Sequence, residues 1–195
     1  MPCAVTARMR LGGIAGLSVV LVLPLVGSAA ARPVTLGAGV GVIEAEQDWD
    51  GQNDDTMQIF GRVGLTSRVA GQLELQKIES SANDTSARTG TALIVVELGN
   101  AGRLVPTMFA GLGIDRAETS YGGSEEGSHI EGGFGLEYRV DGGLVIGADV
   151  RLGGRSVDNN DDVILDSRGG ALSYYAPLLI EGEYRSVRLG VGIRF

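Results

Sequence analysis

Cysteine, basic charge and helical periodicity are all in short supply in this chain, and each shortage removes a class of function. Cys3 is the single cysteine among 195 residues. It precedes an apolar run at 11–26, so the domain that follows has no thiol nucleophile, no cysteine metal ligand and no disulfide. Lys and Arg number 16 against 24 Asp and Glu, and such an acidic excess removes nucleic acid from the expected partners. Past residue 31, no stretch of useful length holds a 3.6-residue apolar period without a glycine or turn residue breaking it. The 32 glycines, costly in helix interiors, point the same way. An all-β domain is expected.

What is present begins with an export signal. Arg8 and Arg10 precede the apolar run, Gly12, Gly13, Gly16 and Pro24 interrupt it, and the small residues Ser28, Ala29, Ala30 and Ala31 follow. Those interruptions argue against a retained membrane helix. Residues 1–31 are expected to be a cleaved signal peptide. Residues 32–195 are then one domain of 164 residues, undivided by a linker, with a net charge of −10 once Arg8 and Arg10 are removed.

Eight stretches of that domain alternate with period two: 34–44, 57–68, 72–79, 88–98, 103–116, 128–140, 144–155 and 184–195. Tilted strands that cross a membrane need about 9 to 11 residues. Short glycine-containing connections at 69–71, 99–102 and 141–143 alternate with longer ones at 45–56, 80–87, 117–127 and 156–183. The pattern predicts an antiparallel up-and-down barrel with tight turns at one end and loops at the other.

In the last stretch Val187, Leu189, Val191, Ile193 and Phe195 alternate with Arg188, Gly190, Gly192 and Arg194, and the sixth and seventh stretches repeat the division. Alternation alone fits a soluble barrel as well, with the apolar face turned inward. Glycine favours the membrane barrel: Gly37, Gly39, Gly41, Gly111, Gly113, Gly133, Gly135 and Gly147 all fall on the polar face. A narrow lumen needs such small residues and a solvated face does not. The polar face carries Arg62, Arg68, Arg139, Arg151, Arg188 and Arg194 with Glu74, Glu97, Asp115, Glu131, Glu137 and Asp149. Equal numbers of each sign in a poorly hydrated lumen predict a paired charge network. The turn at 141–143 sets a hairpin in which Arg139 faces Leu144 or Val145, and Asp149 falls near Gly135.

At this point the mature chain resembles the eight-stranded outer-membrane barrels of Gram-negative bacteria, the OmpA-like and OmpX-like β-barrel domains. The likeness rests on "VRLGVGIRF" at the C-terminus, on "PTMFAGLGID" at 106–115, and on "GRVGL" at 61–65 followed by "GQLELQ" at 71–76. It implies outer-membrane lipids as surroundings, and periplasmic chaperones and the barrel assembly machinery as partners. Val187, Leu189, Val191, Ile193 and Phe195 would form the assembly signal. With Phe195 last, no periplasmic peptidoglycan-binding domain is expected.

His129 is the single imidazole. Barrel enzymes that modify lipid A use a histidine with a serine and an acidic partner, and Ser128 adjoins His129 in sequence. Adjacent strand residues point to opposite faces, however, so the expected role is a polar residue at the rim. Acids crowd the longer connections. Asp48 and Asp50 in "DWDGQNDD", and Asp158, Asp161 and Asp162 in "DNNDD", are weak calcium candidates without EF-hand spacing. No cofactor is expected. The expected function is a structural and interaction barrel that displays acidic loops outside the cell, serving envelope integrity, adhesion or recognition of a surface ligand. A narrow channel is the second reading, and a lipid-modifying enzyme the third.

Overall fold

The structure, a computed structural model, describes residues 32–45, 53–80, 85–99, 102–118, 124–158 and 181–195. The signal segment lies outside them. Eight strands follow one another: β1 Val34–Ala45, β2 Asn53–Gly64, β3 Val69–Ser80, β4 Thr85–Glu97, β5 Leu104–Glu118, β6 Ser124–Arg139, β7 Leu144–Asp158 and β8 Gly182–Arg194. Each pairs antiparallel with its sequence neighbours, and β1 also pairs with β8, which closes the barrel. Closure leaves no strand edge unpaired, the condition a sheet must meet in hydrocarbon.

The register fixes the geometry. Followed from Val34 through Val63, Gly71, Ile94, Ala110, Gly132, Leu152 and Arg185, it returns to β1 at Glu44, ten residues further along. Eight strands with that stagger tilt by about 40° from the barrel axis. Across the β6–β7 hairpin, Arg139 faces Val145 and Gly135 faces Asp149, as its turn requires. There Gly142 and Gly143 both hold φ of 89°, a conformation that disfavours a side chain. A Cβ at Gly143 would also stand 2.4 Å from the Arg194 carbonyl oxygen.

Two sequence expectations need correction. The tight turn after β2 occupies 65–68 rather than 69–71. The Thr66 hydroxyl accepts the amides of Arg68 and Val69 at 3.2 and 3.0 Å, and the Leu65 amide bonds the Val69 carbonyl at 2.8 Å, so the chain reverses before Arg68. Arg68 is consequently exposed in a turn and not part of a lumen-facing strand. The loops are also shorter than expected, because all eight strands run on through residues first assigned to them. Only four residues separate β3 from β4 and five separate β5 from β6, while six separate β4 from β5. Long and short connections therefore do not alternate around the whole barrel; 46–52 and 159–181 alone are long.

Apolar side chains cover the outside and charges fill the inside. Val150 is 54% exposed on the outer wall while its neighbour Arg151 is 1% exposed in the lumen. Leu112, Ile130 and Phe134 are likewise among the exposed outer residues. Two small apolar layers also lie inside: Ile43, Ile78, Ala87, Ala117, Val157 and Tyr184 toward the loop end, and Ala70, Leu93, Val95 and Phe109 deeper toward the turns.

Candidate functional site

The lumen is the candidate site, and a knot around Arg151 lies at its centre. Glu74 comes from β3, Glu131 from β6, Asp149 and Arg151 from β7, and Arg188 from β8. Period-two alternation turns each of them inward. Arg151 grips Glu74 with both terminal nitrogens at 2.8 and 2.9 Å, reaches Glu131 at 2.6 Å and donates Nε to Asp149 at 2.7 Å. Arg188 donates to Glu74 at 3.1 Å and to the Gln58 amide oxygen at 2.7 Å. The Phe109 ring lies 4.7 Å from the Arg151 guanidinium carbon, close enough for a cation–π contact. Three carboxylates meet two guanidiniums here, and neutral donors serve the excess: Gln72 bonds Glu74 at 2.5 Å and the Tyr184 hydroxyl bonds Glu131 at 3.1 Å.

A second group sits toward the turns, where Arg62 pairs with Glu137 and Arg139 with Glu97. Arg62 also donates to Gln72 at 2.5 Å, so polar contacts run unbroken from Glu97 up to the central knot. Arg194 is half-buried and lines a 150 Å³ cavity at this end, with Arg68 at the cavity's exposed margin.

A third group lies toward the loops. Asp115 on β5 accepts from Arg155 Nε at 2.9 Å and from the Thr89 hydroxyl at 2.7 Å, and faces His129 Nδ1 at 3.0 Å. His129 Nε2 stands 3.1 Å from the Thr91 hydroxyl. His129 is not a rim residue, as the sequence had suggested. β6 begins at Ser124, which carries His129 five residues into the strand, and its side chain is 1% exposed. Gly113 makes room for it, since a Cβ there would stand 2.3 Å from the imidazole.

Of the twelve expected network residues, the structure joins Arg62, Glu74, Glu97, Asp115, Glu131, Glu137, Arg139, Asp149, Arg151 and Arg188 in ion pairs. Sequence reasoning missed Arg155, Tyr184, Gln58, Gln72, Thr89 and Thr91. Strand parity marks Arg155, which sits four residues after Arg151, but uncharged inner residues give no comparable signal. Among the described residues no group of three acidic, histidine or cysteine side chains could hold a metal. Asp48, Asp50, Asp161 and Asp162 lie outside those residues, and Asp158 ends β7 opposite Glu126.

No family model and no curated sequence matches the chain. Solved structures do. Neisserial surface protein A superposes with a TM-score of 0.61 at 12% identity, covering 84% of this chain and 97% of that one. The fold is that of the eight-stranded outer-membrane barrels. The N-terminal β-barrel domain of Pseudomonas aeruginosa OprF gives a TM-score of 0.56 at 18% identity, covering 84% of this chain and 97% of the domain. A major outer membrane protein from Thermus thermophilus gives 0.53 at 12% identity, over 85% of this chain and 100% of that one. What this barrel shares with them is architecture.

Proposed function

We propose that this barrel resides in the outer membrane as a plugged scaffold whose loop end faces outward, its role being display and contact rather than conduction. The exterior supports the membrane setting. On β5 the outward residues from Leu104 to Ile114 are uncharged, and ten residue steps at this tilt span about 25 Å, the height of a hydrocarbon-facing band. A soluble protein rarely exposes so large a continuous apolar surface.

The single observation that carries the plug is the Arg151 guanidinium, held by Glu74, Glu131 and Asp149 across the middle of the lumen. The cavity beneath it measures only about 50 Å³, room for a few waters. Single-channel recording from the refolded barrel in planar bilayers is expected to show no steps; stable conductance would replace this reading with the narrow channel. Against an enzyme stands the sealing of His129 and Asp115, whose side chains are 1% and 0% exposed beneath the loop-end apolar layer.

With both termini and the turn end of the barrel on the periplasmic side, protease added to whole cells is expected to cut within 156–183 and to spare 141–143. Val187, Leu189, Val191, Ile193 and Phe195 form an outward apolar row, suited to reading by the assembly machinery and its delivering chaperones. Deleting Phe195 is expected to lower the yield of folded barrel in cells, and an unchanged yield would remove that role.

A further inference from the structure

The outer wall carries one charged feature that neither the plug nor the apolar band explains. Lys77 on β3 stands opposite Arg88 on β4, and Arg88 stands opposite Arg116 on β5. All three point outward and are exposed. Directly paired residues of an antiparallel sheet lie about 5 Å apart, so three cations form a single row across three strands. The row sits where the apolar wall ends: along β3 the outward order is Leu75, Lys77, Glu79, and along β5 Arg116 follows Ile114. The cation comes first beyond the hydrocarbon-facing residues, and on β3 an acid lies outside it.

Elsewhere around the same rim the outward charges include Glu44, Asp55, Glu126 and Glu183, with Arg185 a lone cation opposite Glu44, so three adjacent cations stand out on a mostly acidic barrel end. Below the row the wall is notched. Gly90 lies one outward position beneath Arg88, and a Cβ there would stand 3.9 Å from both the Leu75 and the Ile114 side chains. Leu75, Lys77, Arg88, Gly90, Ile114 and Arg116 line part of an exterior groove of about 910 Å³. Lys77 bonds Glu79 at 2.5 Å and Arg116 stands opposite Glu126; surface pairs of this kind are weak and yield to a stronger anion.

We infer that Lys77, Arg88 and Arg116 form a binding site for the phosphate of an outer-leaflet membrane lipid whose acyl chains lie in the groove beneath. An apolar trough capped by three neighbouring cations matches a molecule with tails and a phosphate monoester head, whereas a free anion would leave the trough unused. The inference rests on the membrane setting proposed above.

The test uses the mature barrel refolded into phosphatidylcholine vesicles with or without a small fraction of phosphatidic acid, followed by extraction into neutral detergent and a count of phosphatidic acid retained per barrel. The unaltered protein is expected to retain it. Changing one cation to Gln should weaken retention about fivefold, and the triple variant K77Q/R88Q/R116Q about a hundredfold. Arg103→Gln, an exposed cation at the turn end, should leave it unchanged. Equal retention by the triple variant, or full displacement of the lipid by matching inorganic phosphate, would overturn the site. Heat-modifiable migration after insertion into pure phosphatidylcholine reports folding separately, for the variants too. Failure of the unaltered chain to insert there would sink the membrane setting and this inference with it.

Discussion

The central knot and the turn-end group are made of the same residue types, yet they differ in burial. Around Arg151 the ion-paired side chains of Arg151, Glu74 and Glu131 are 1% to 2% exposed, with Asp149 at the knot's margin at 22%, whereas Arg139 and Glu97 near the turns are 23% and 15% exposed. A pair that water reaches gains little from its partner, because solvent replaces the partner when it is lost. A pair sealed away from water leaves an uncompensated charge instead. The difference teaches that the lumen is not one uniform network: its middle is a lock, and its turn end is a solvated fringe.

The sharpest way to break this comparison is Arg151→Ala, which leaves the buried Glu74 and Glu131 to share Arg188 as their one remaining cation. It is expected to cost about 3 to 5 kcal/mol in reversible unfolding from lipid vesicles. Adding Glu74→Gln to that background should recover part of the loss, so a double-mutant cycle that comes out additive would dissolve the knot as a unit. Next in size is Val150→Arg, one residue away on the outer wall, expected to cost about 2 to 4 kcal/mol near the bilayer midplane. A neutral result there would mean that the faces are reversed. Gly113→Ala sharpens the comparison at the loop end. Its Cβ meets His129 at 2.3 Å and the Gly90 carbonyl oxygen at 2.5 Å, an overpacking expected to cost about 1 to 3 kcal/mol in the same assay. Arg139→Ala in the fringe should cost about 1 kcal/mol or less. Least of all, Arg103→Ala, whose pair with Asp141 is 57% and 85% exposed, should shift stability by no more than about 0.5 kcal/mol. Equal losses at Arg151 and Arg139 would abolish the distinction between lock and fringe.

Much of the barrel was legible because its signals are local. Period two assigns each side chain to one face, and glycine on the charged face shows which face is crowded. The β6–β7 register was countable from a turn whose glycines require positive φ. The β2–β3 turn was misplaced because apolar alternation continues through Val63 and Leu65 into residues that the Thr66 turn reverses. Strand ends on the loop side were set too early because Glu125, Glu126 and Glu118 read as loop by charge. In the structure they are laddered strand residues that extend past the apolar band.

The sequence by itself therefore determined the strand count, the two faces and the presence of paired charges, since those follow from residue spacing along one chain. Tertiary structure alone decided which charge meets which. Arg151 and Glu74 are 77 residues apart, and Asp115 and Arg155 are 40 apart. They meet across a closed lumen whose stagger of ten brings them to one height. No local pattern encodes that stagger, because it is a sum over every strand pairing around the ring. Burial followed from the same closure, which made a lock of one group of charges and left another beside water.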